Sequence, residues 1–174
     1  MVILILTLYL TTLTLMTMIN KLDIHDNNNI NIMLIHSRSL TKDVDNIAAF
    51  LNTLSTAPNF LAITETWLIN INNKHIHQLP GYHSYHLVST NRAQGGVTIF
   101  ISNDLQSEQL PDLTIVINDN IEINTVKVSS SSLSVILCAV YRPHSKYEFV
   151  QEFANTLCAP LHKNSECIKQ KCHS

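Results

Sequence analysis

At 174 residues, with a formal net charge of −2 and only 11 Lys plus Arg, the chain lacks the basic balance of a protein that binds nucleic acid mainly by neutralising phosphates. Its length suits one domain with a modest core, and a charged fraction of 14% against 45% hydrophobic leaves the polar surface to Asn, Ser and Thr. Glycine is limited to 3 residues, and the adjacent pair Gly95 and Gly96 points to a specific backbone need at that place.

Residues 1–20 carry no charged side chain and are rich in Leu, Ile, Met and Thr. A signal peptide calls for a basic start and small residues at the cleavage point, and neither precedes Lys21. A membrane helix calls for about 20 apolar residues, and Thr7, Thr11, Thr12, Thr14 and Thr17 interrupt this run. A third reading places the segment outside any fold. Residues 1–28 are therefore set apart as a hydrophobic leader and polar linker, with a membrane-anchored protein as one of the open possibilities.

A strand pattern begins at Ile30, where Ile30, Ile32 and Leu34 alternate with Asn31, Met33 and Ile35. Residues 41–54 have helical spacing, with Val44, Ile47, Ala48, Leu51 and Leu54 on one face. Thr41 is the expected N-cap, Asp43 and Asp45 suit the positive end of the helix dipole, and Pro58 is the expected terminator. The apolar run 60–63 reads as a buried strand, giving a βαβ-like opening. Residues 82–88, 97–102, 113–117, 121–128 and 133–141 are strand-like, with hairpin-type turns at 118–120 and 129–132. A helix is expected over 149–157, and the periodicity vanishes after Pro160.

Cys138 lies in an apolar run and reads as a small buried hydrophobe. Cys158, Cys167 and Cys172, with His162 and His173, match no common zinc spacing. His75, His77, His83 and His86 surround Pro80-Gly81 without a shared face and read as surface histidines.

Two segments carry chemistry. Thr64-Glu65-Thr66-Trp67-Leu68 follows directly on the buried strand 60–63, and a carboxylate at a strand end is where an α/β protein usually holds a ligand or metal. Tyr141-Arg142-Pro143 closes the strand 133–141, and its Arg offers a planar fork that matches phosphate oxygens. Periodicity alone favours bland readings of both, a loop-capping Glu and a proline-set turn.

In order along the chain, these segments resemble the endonuclease/exonuclease/phosphatase family, in the version found in non-LTR (LINE-type) retrotransposons. The resemblance rests on residues 33–40 (Met-Leu-Ile-His-Ser-Arg-Ser-Leu), 58–68 (Pro-Asn-Phe-Leu-Ala-Ile-Thr-Glu-Thr-Trp-Leu) and Leu79-Pro80-Gly81-Tyr82. It continues through Arg92, Gly95-Gly96-Val97-Thr98-Ile99-Phe100 and Ala139-Val140-Tyr141-Arg142-Pro143. It implies an α/β fold, a four-layer α/β sandwich of mostly antiparallel sheets, over residues 29–157 and incomplete at its C-terminus. Residues 158–174 would form an unstructured tail.

The resemblance also implies Mg2+-dependent cleavage of a phosphodiester bond in DNA, with the reverse transcriptase region of the same element as a further partner. Carried over position by position, Glu65 matches the metal-binding glutamate, Tyr141 the tyrosine at the scissile phosphate, and Gly95-Gly96 the pair opening a central strand. Arg142 would contact substrate phosphate. His36 stands where the family has Asn and would be a catalytic residue of altered chemistry, since neutral imidazole is softer and bulkier than an amide.

The family's later Asp-x-Asn and Ser-Asp-His motifs have no counterpart here. No Asp follows Asp119, and the carboxylates after Tyr141 are Glu148, Glu152 and Glu166. In-line attack on phosphate requires an oriented water and charge neutralisation together. The expectation is therefore a truncated endonuclease domain, weakly active or inactive, or a non-catalytic nucleic-acid-binding or interaction remnant.

Overall fold

In a computed structural model of the chain, the described residues are 2–9, 17–24, 28–69, 77–89, 94–117, 121–129 and 134–142, with side chains from residue 30 onward. All of them fall within the unit Met1–Arg142. The elements in order are β1 (Val2–Tyr9), β2 (Thr17–Ile24), β3 (Asn28–His36), α1 (Leu40–Leu51), β4 (Phe60–Thr64) and β5 (Tyr82–Leu87). There follow β6 (Val97–Ser102), β7 (Gln106–Gln109), a 3-10 turn (Pro111–Leu113), β8 (Ile115–Ile117), β9 (Ile121–Ser129) and β10 (Ser134–Arg142).

Among the described residues the strands form two five-stranded sheets. One has the order β2-β3-β4-β6-β5, the other β1-β10-β9-β7 with β8 also paired to β9. Pairing is antiparallel except for β3 with β4 and β1 with β10. The parallel pair follows from its connection, because α1 carries the chain back so that β4 can run beside β3 in the same direction.

The near-continuous apolar run of β3 has a physical cause, since both faces of this strand are covered. Ile30, Ile32 and Leu34 point between the sheets, with Phe60, Ala62, Val97, Ile99 and Ile101, against Val126, Val128, Leu137, Ala139 and Tyr141. Met33 and Ile35 point the other way, with Leu61, Ile63 and Phe100, against Leu40, Val44, Ile47 and Leu51 of α1. Each large side chain so buried contributes about 1.5–3 kcal/mol. Helix, sheet and sheet thus form successive layers of the α/β sandwich anticipated from sequence. The helix expected over 149–157 lies outside the described residues, as does the Cys/His tail.

A polar pin crosses the sheet interface. Asn124 on β9 is fully buried, and its amide donates to the carbonyls of Tyr85 at 2.8 Å and Val97 at 3.1 Å. Its Oδ1 accepts from Gln109 Nε2 at 2.9 Å, so each polar atom of the amide is matched. Tyr85 supplies a second pin, donating its hydroxyl to the Ser107 carbonyl at 2.8 Å.

Several local expectations are corrected. Ser39, not Thr41, is the N-cap of α1, and it makes no side-chain capping bond; Thr41 lies within the first turn. The helix stops at Leu51 with Asn52 as C-cap, well before Pro58, which instead offers its carbonyl to the Tyr82 hydroxyl at 2.8 Å. Leu113 belongs to the 3-10 turn set by Pro111 rather than to β8. Strand β7 was not expected, because Gln106-Ser107-Glu108-Gln109 has no apolar alternation and is held by pairing to β9. The N-terminal segment enters the sheets as β1 and β2. Among the described residues no helix is long and apolar enough to cross a membrane.

Candidate active site

The registers of the two sheets bring distant residues to one end of the sandwich. The parallel β3/β4 pair sets His36 beside Thr64. The antiparallel β4/β6 pair sets Thr64 beside Val97, immediately after Gly95-Gly96. In the other sheet, β9 and β10 set Glu122 beside Tyr141.

Glu65 follows the last residue of β4, and its backbone leaves the extended region for the left-handed one, at φ 55°. Trp67 does the same at φ 53°. Such conformations cost non-glycine residues about 1–3 kcal/mol and persist where the surroundings over-determine them. The surroundings here are backbone hydrogen bonds. The Thr66 N–H donates to the Gly96 carbonyl at 3.2 Å and the Trp67 N–H to the Gly95 carbonyl at 3.0 Å. The Thr66 carbonyl in turn accepts from the Leu40 N–H at 2.9 Å, at the start of α1.

The turn so fixed directs the Glu65 side chain between the two sheets. The Tyr141 hydroxyl donates to Glu65 Oε1 at 2.7 Å. His36 Nε2 lies 3.6 Å from Oε2, which makes an ion pair when the imidazole is protonated. The other ring nitrogen of His36, Nδ1, is 3.2 Å from the Thr64 hydroxyl. All of these groups are buried: Glu65 is 9% exposed, His36 7% and Tyr141 3%.

Burial pushes the Tyr141 phenol well above its ordinary value, and the carboxylate of Glu65 pushes it further, both as hydrogen-bond acceptor and as a charge. The charge of Glu122 acts in the same direction. The hydroxyl therefore stays protonated at neutral pH and serves as a hydrogen-bond donor.

Of the residues singled out in the sequence, His36, Glu65 and Tyr141 meet in one cluster. Arg142 follows Tyr141 at the last position of β10, half-buried, where strand alternation sets it on the other face of the sheet. Arg92 and His75 lie outside the described residues. The reading of the remaining histidines as surface groups needs correction: His83 is exposed, but His77 is 5% exposed and His86 half-buried. They pack in a ring stack, His77 edge-on to His86 and His86 edge-on to Phe100, each with centroids 6.3 Å apart.

Glu122 was missed. It is 4% exposed, and its carboxylate accepts the Gly96 N–H. A signal existed in the sequence, namely a lone carboxylate inside the strand pattern 121–128, but nothing there linked it to Glu65.

A hard cation such as Mg2+ takes carboxylate oxygens and keeps several waters, and one or two carboxylates can suffice when substrate phosphates complete the shell. Glu65 offers one such group, with Oε1 already engaged by Tyr141. Among the described residues no group of three or more His, Cys, Asp and Glu side chains is placed to hold a metal ion. The donor set is thus a single carboxylate, with Tyr141 on Oε1 and His36 beside Oε2, and a cation there would draw its remaining ligands from water or phosphate.

Two face-to-face mixed sheets with a helix on the outer face of one form an α/β sandwich, the fold class that the sequence resemblance implied. The chain is similar in structure to the AP endonuclease LMAP from Leishmania major, with a TM-score of 0.56 and 15% identity, over 72% of this chain and 46% of that one. The endonuclease domain of TRAS1, a telomere-specific non-LTR retrotransposon, gives a TM-score of 0.49 at 14% identity, over 76% and 52%. Truncated Caenorhabditis elegans TDP2 gives 0.49 at 19% identity, over 77% and 52%. The chain thus spans about half the length of these structures. No protein-family model and no curated protein sequence matches it.

Proposed function

We propose that the cluster of His36, Glu65 and Tyr141 is one half of a Mg2+-dependent phosphodiesterase site acting on DNA, and that the chain alone is weakly active or inactive. The observation that carries this reading is the hydrogen bond from Tyr141 to a buried Glu65 whose backbone is held in the left-handed region. Strained backbone at a strand end, presenting a buried carboxylate, is a feature that structural roles rarely need.

In this reading Glu65 is the metal ligand, and a bound Mg2+ would neutralise charge on a phosphate oxygen. Tyr141 orients the Glu65 carboxylate through its one hydroxyl proton, which it donates to Oε1. His36 stands on the opposite oxygen of Glu65 and can hold a proton at Nε2 near a phosphate. Arg142 supplies a cationic fork for the phosphate backbone beyond the cluster. The sequence carries no counterpart of the family's later acidic motifs, so nothing in it is assigned to orient the attacking water. Reverse transcription by another region of the same element would use the nicked DNA end.

A nicking assay on supercoiled plasmid with Mg2+, paired with Mn2+ binding, tests the proposal. Mn2+ should bind the parent chain and not Glu65→Ala, with little or no nicking by either. Binding of DNA that weakens with salt but shows no metal dependence would mark a non-catalytic binding module instead.

A further inference from the structure

We propose that Glu122 is a positioning residue for this site: by accepting the Gly96 N–H it holds the Gly95–Gly96 turn, and that turn fixes the strained segment that presents Glu65. The functional consequence rests on the reading of Glu65 as a metal ligand, whereas the mechanical one does not.

The connection is continuous from one sheet to the other. Glu122 leaves β9 at the position paired with Tyr141, so its location is set by the β9/β10 ladder. Its carboxylate accepts from the Gly96 backbone, which lies in the opposite sheet at the entry to β6. The carbonyls of Gly95 and Gly96 accept from Trp67 and Thr66, the two residues after Glu65. One side-chain bond joins Glu122 to Gly96, two backbone bonds join Gly95–Gly96 to Thr66–Trp67, and Glu65 is the next residue along the chain. A shift at Glu122 is therefore passed to the segment beside Glu65 through backbone hydrogen bonds.

The carboxylate adds a steric reason for glycine at Gly95 to the conformational one that both glycines share. Gly95 and Gly96 both have positive φ, 91° and 86°. A Cβ at Gly95 would sit 2.6 Å and 2.9 Å from the two Glu122 oxygens and 2.7 Å from Ser89 Oγ. A Cβ at Gly96 would strike the Thr66 hydroxyl. In so Gly-poor a chain, two consecutive residues without side chains clear the space through which Glu122 reaches one backbone and Thr66–Trp67 pack on the other.

An acceptor of this kind could serve packing alone, so the test needs a signal from the segment it is said to hold. Trp67 provides one, because it is the sole tryptophan of the chain and donates its own N–H to Gly95. Three variants separate reach from chemistry. Glu122→Gln keeps the length and an acceptor, Glu122→Asp keeps the charge but draws it back, and Glu122→Ala removes both.

With far-UV circular dichroism unchanged, Glu122→Ala and Glu122→Asp should red-shift the Trp67 emission and speed amide exchange at Thr66 and Trp67. The same variants should raise the Mn2+ dissociation constant about tenfold, the usual scale for losing a group that orients a metal ligand. Glu122→Gln should restore emission, exchange and affinity toward the parent. If Glu122→Ala does not fold, Glu122→Asp carries the same comparison. Unaltered Trp67 emission and exchange in a folded Ala or Asp variant would overturn the proposal, as would a Gln variant that behaves like Ala. Failure of the parent to bind Mn2+ would sink the metal reading of Glu65 and leave Glu122 to be judged by Trp67 alone.

Discussion

The hydroxyl of Tyr141 donates to Glu65 Oε1 at 2.7 Å across 76 residues of sequence, joining the end of one sheet to the end of the other. Both groups are buried, so the bond forms in a medium where it is stronger than in water and where leaving either partner unmatched is costly. It is at once an interlock between sheets and the feature on which the chemical reading of the site depends.

Tyr141→Phe should reveal the first of these roles. Removing the hydroxyl leaves a buried carboxylate oxygen without its donor, and hydrogen bonds to charged groups are worth about 1.5–3 kcal/mol. Urea unfolding of the variant should show a loss of that order with an unchanged slope.

The raised pKa of Tyr141 also sets a pH dependence. The unfolded chain releases the phenolic proton near pH 10, while the folded chain retains it to higher pH. Above pH 10 the unfolded state therefore binds fewer protons, and stability contributed by Tyr141 falls as pH rises. Stability measured between pH 9 and 11 should decline less steeply in Tyr141→Phe than in the parent.

Two glycines that share a positive φ should respond differently to alanine. Gly81 has φ 85° and open space where a Cβ would be, so Gly81→Ala carries only the backbone penalty of about 1–2 kcal/mol. Gly96, at φ 86°, would also drive its Cβ into Thr66. Gly96→Ala should be the more destabilising by thermal unfolding and should disturb the Trp67 emission, which Gly81→Ala leaves alone.

Asn124→Ala should cost about 1–3 kcal/mol, because the carbonyls of Tyr85 and Val97 would lose buried donors. Asn124→Leu, which fills the space without supplying donors, should not recover the loss. Chemical denaturation of the pair decides whether the pin acts through hydrogen bonds or through volume.

His77 should titrate below the ordinary histidine value, since burial disfavours its charged form. Below pH 6.5 the unfolded chain would then bind more protons than the folded one, and stability would fall as the solution is acidified. The imidazole resonance followed by NMR gives the folded midpoint directly, and a midpoint at or above 6.5 would contradict the assignment.

Much of the architecture was legible in the chain because the signals are local. The alternation in 30–35, the helical spacing after residue 41 and the apolar run 60–63 each reflect which faces of an element are covered. They locate β3, α1 and β4 to within a few residues. The end of α1 was read too late because Leu54 continues the apolar face, while the helix ends at Leu51 and tightens into i−3 bonds from Thr53 and Leu54. Strand β7 was invisible for the opposite reason: its four residues carry no pattern, and only the ladder to β9 makes them a strand.

The site divides in the same way. The sequence by itself determined that Glu65 follows a buried strand, that Tyr141 lies near the end of another, and that Gly95–Gly96 marks a backbone with special needs. The tertiary structure alone decided that these meet, that His36 stands on the second oxygen of Glu65, and that Glu122 closes the circuit through Gly96. Periodicity reports which face of a strand is buried, and it carries no information about register between strands far apart in sequence. The side chains that touch Glu65 are chosen by register, and register is fixed only when the sheets close over their common core.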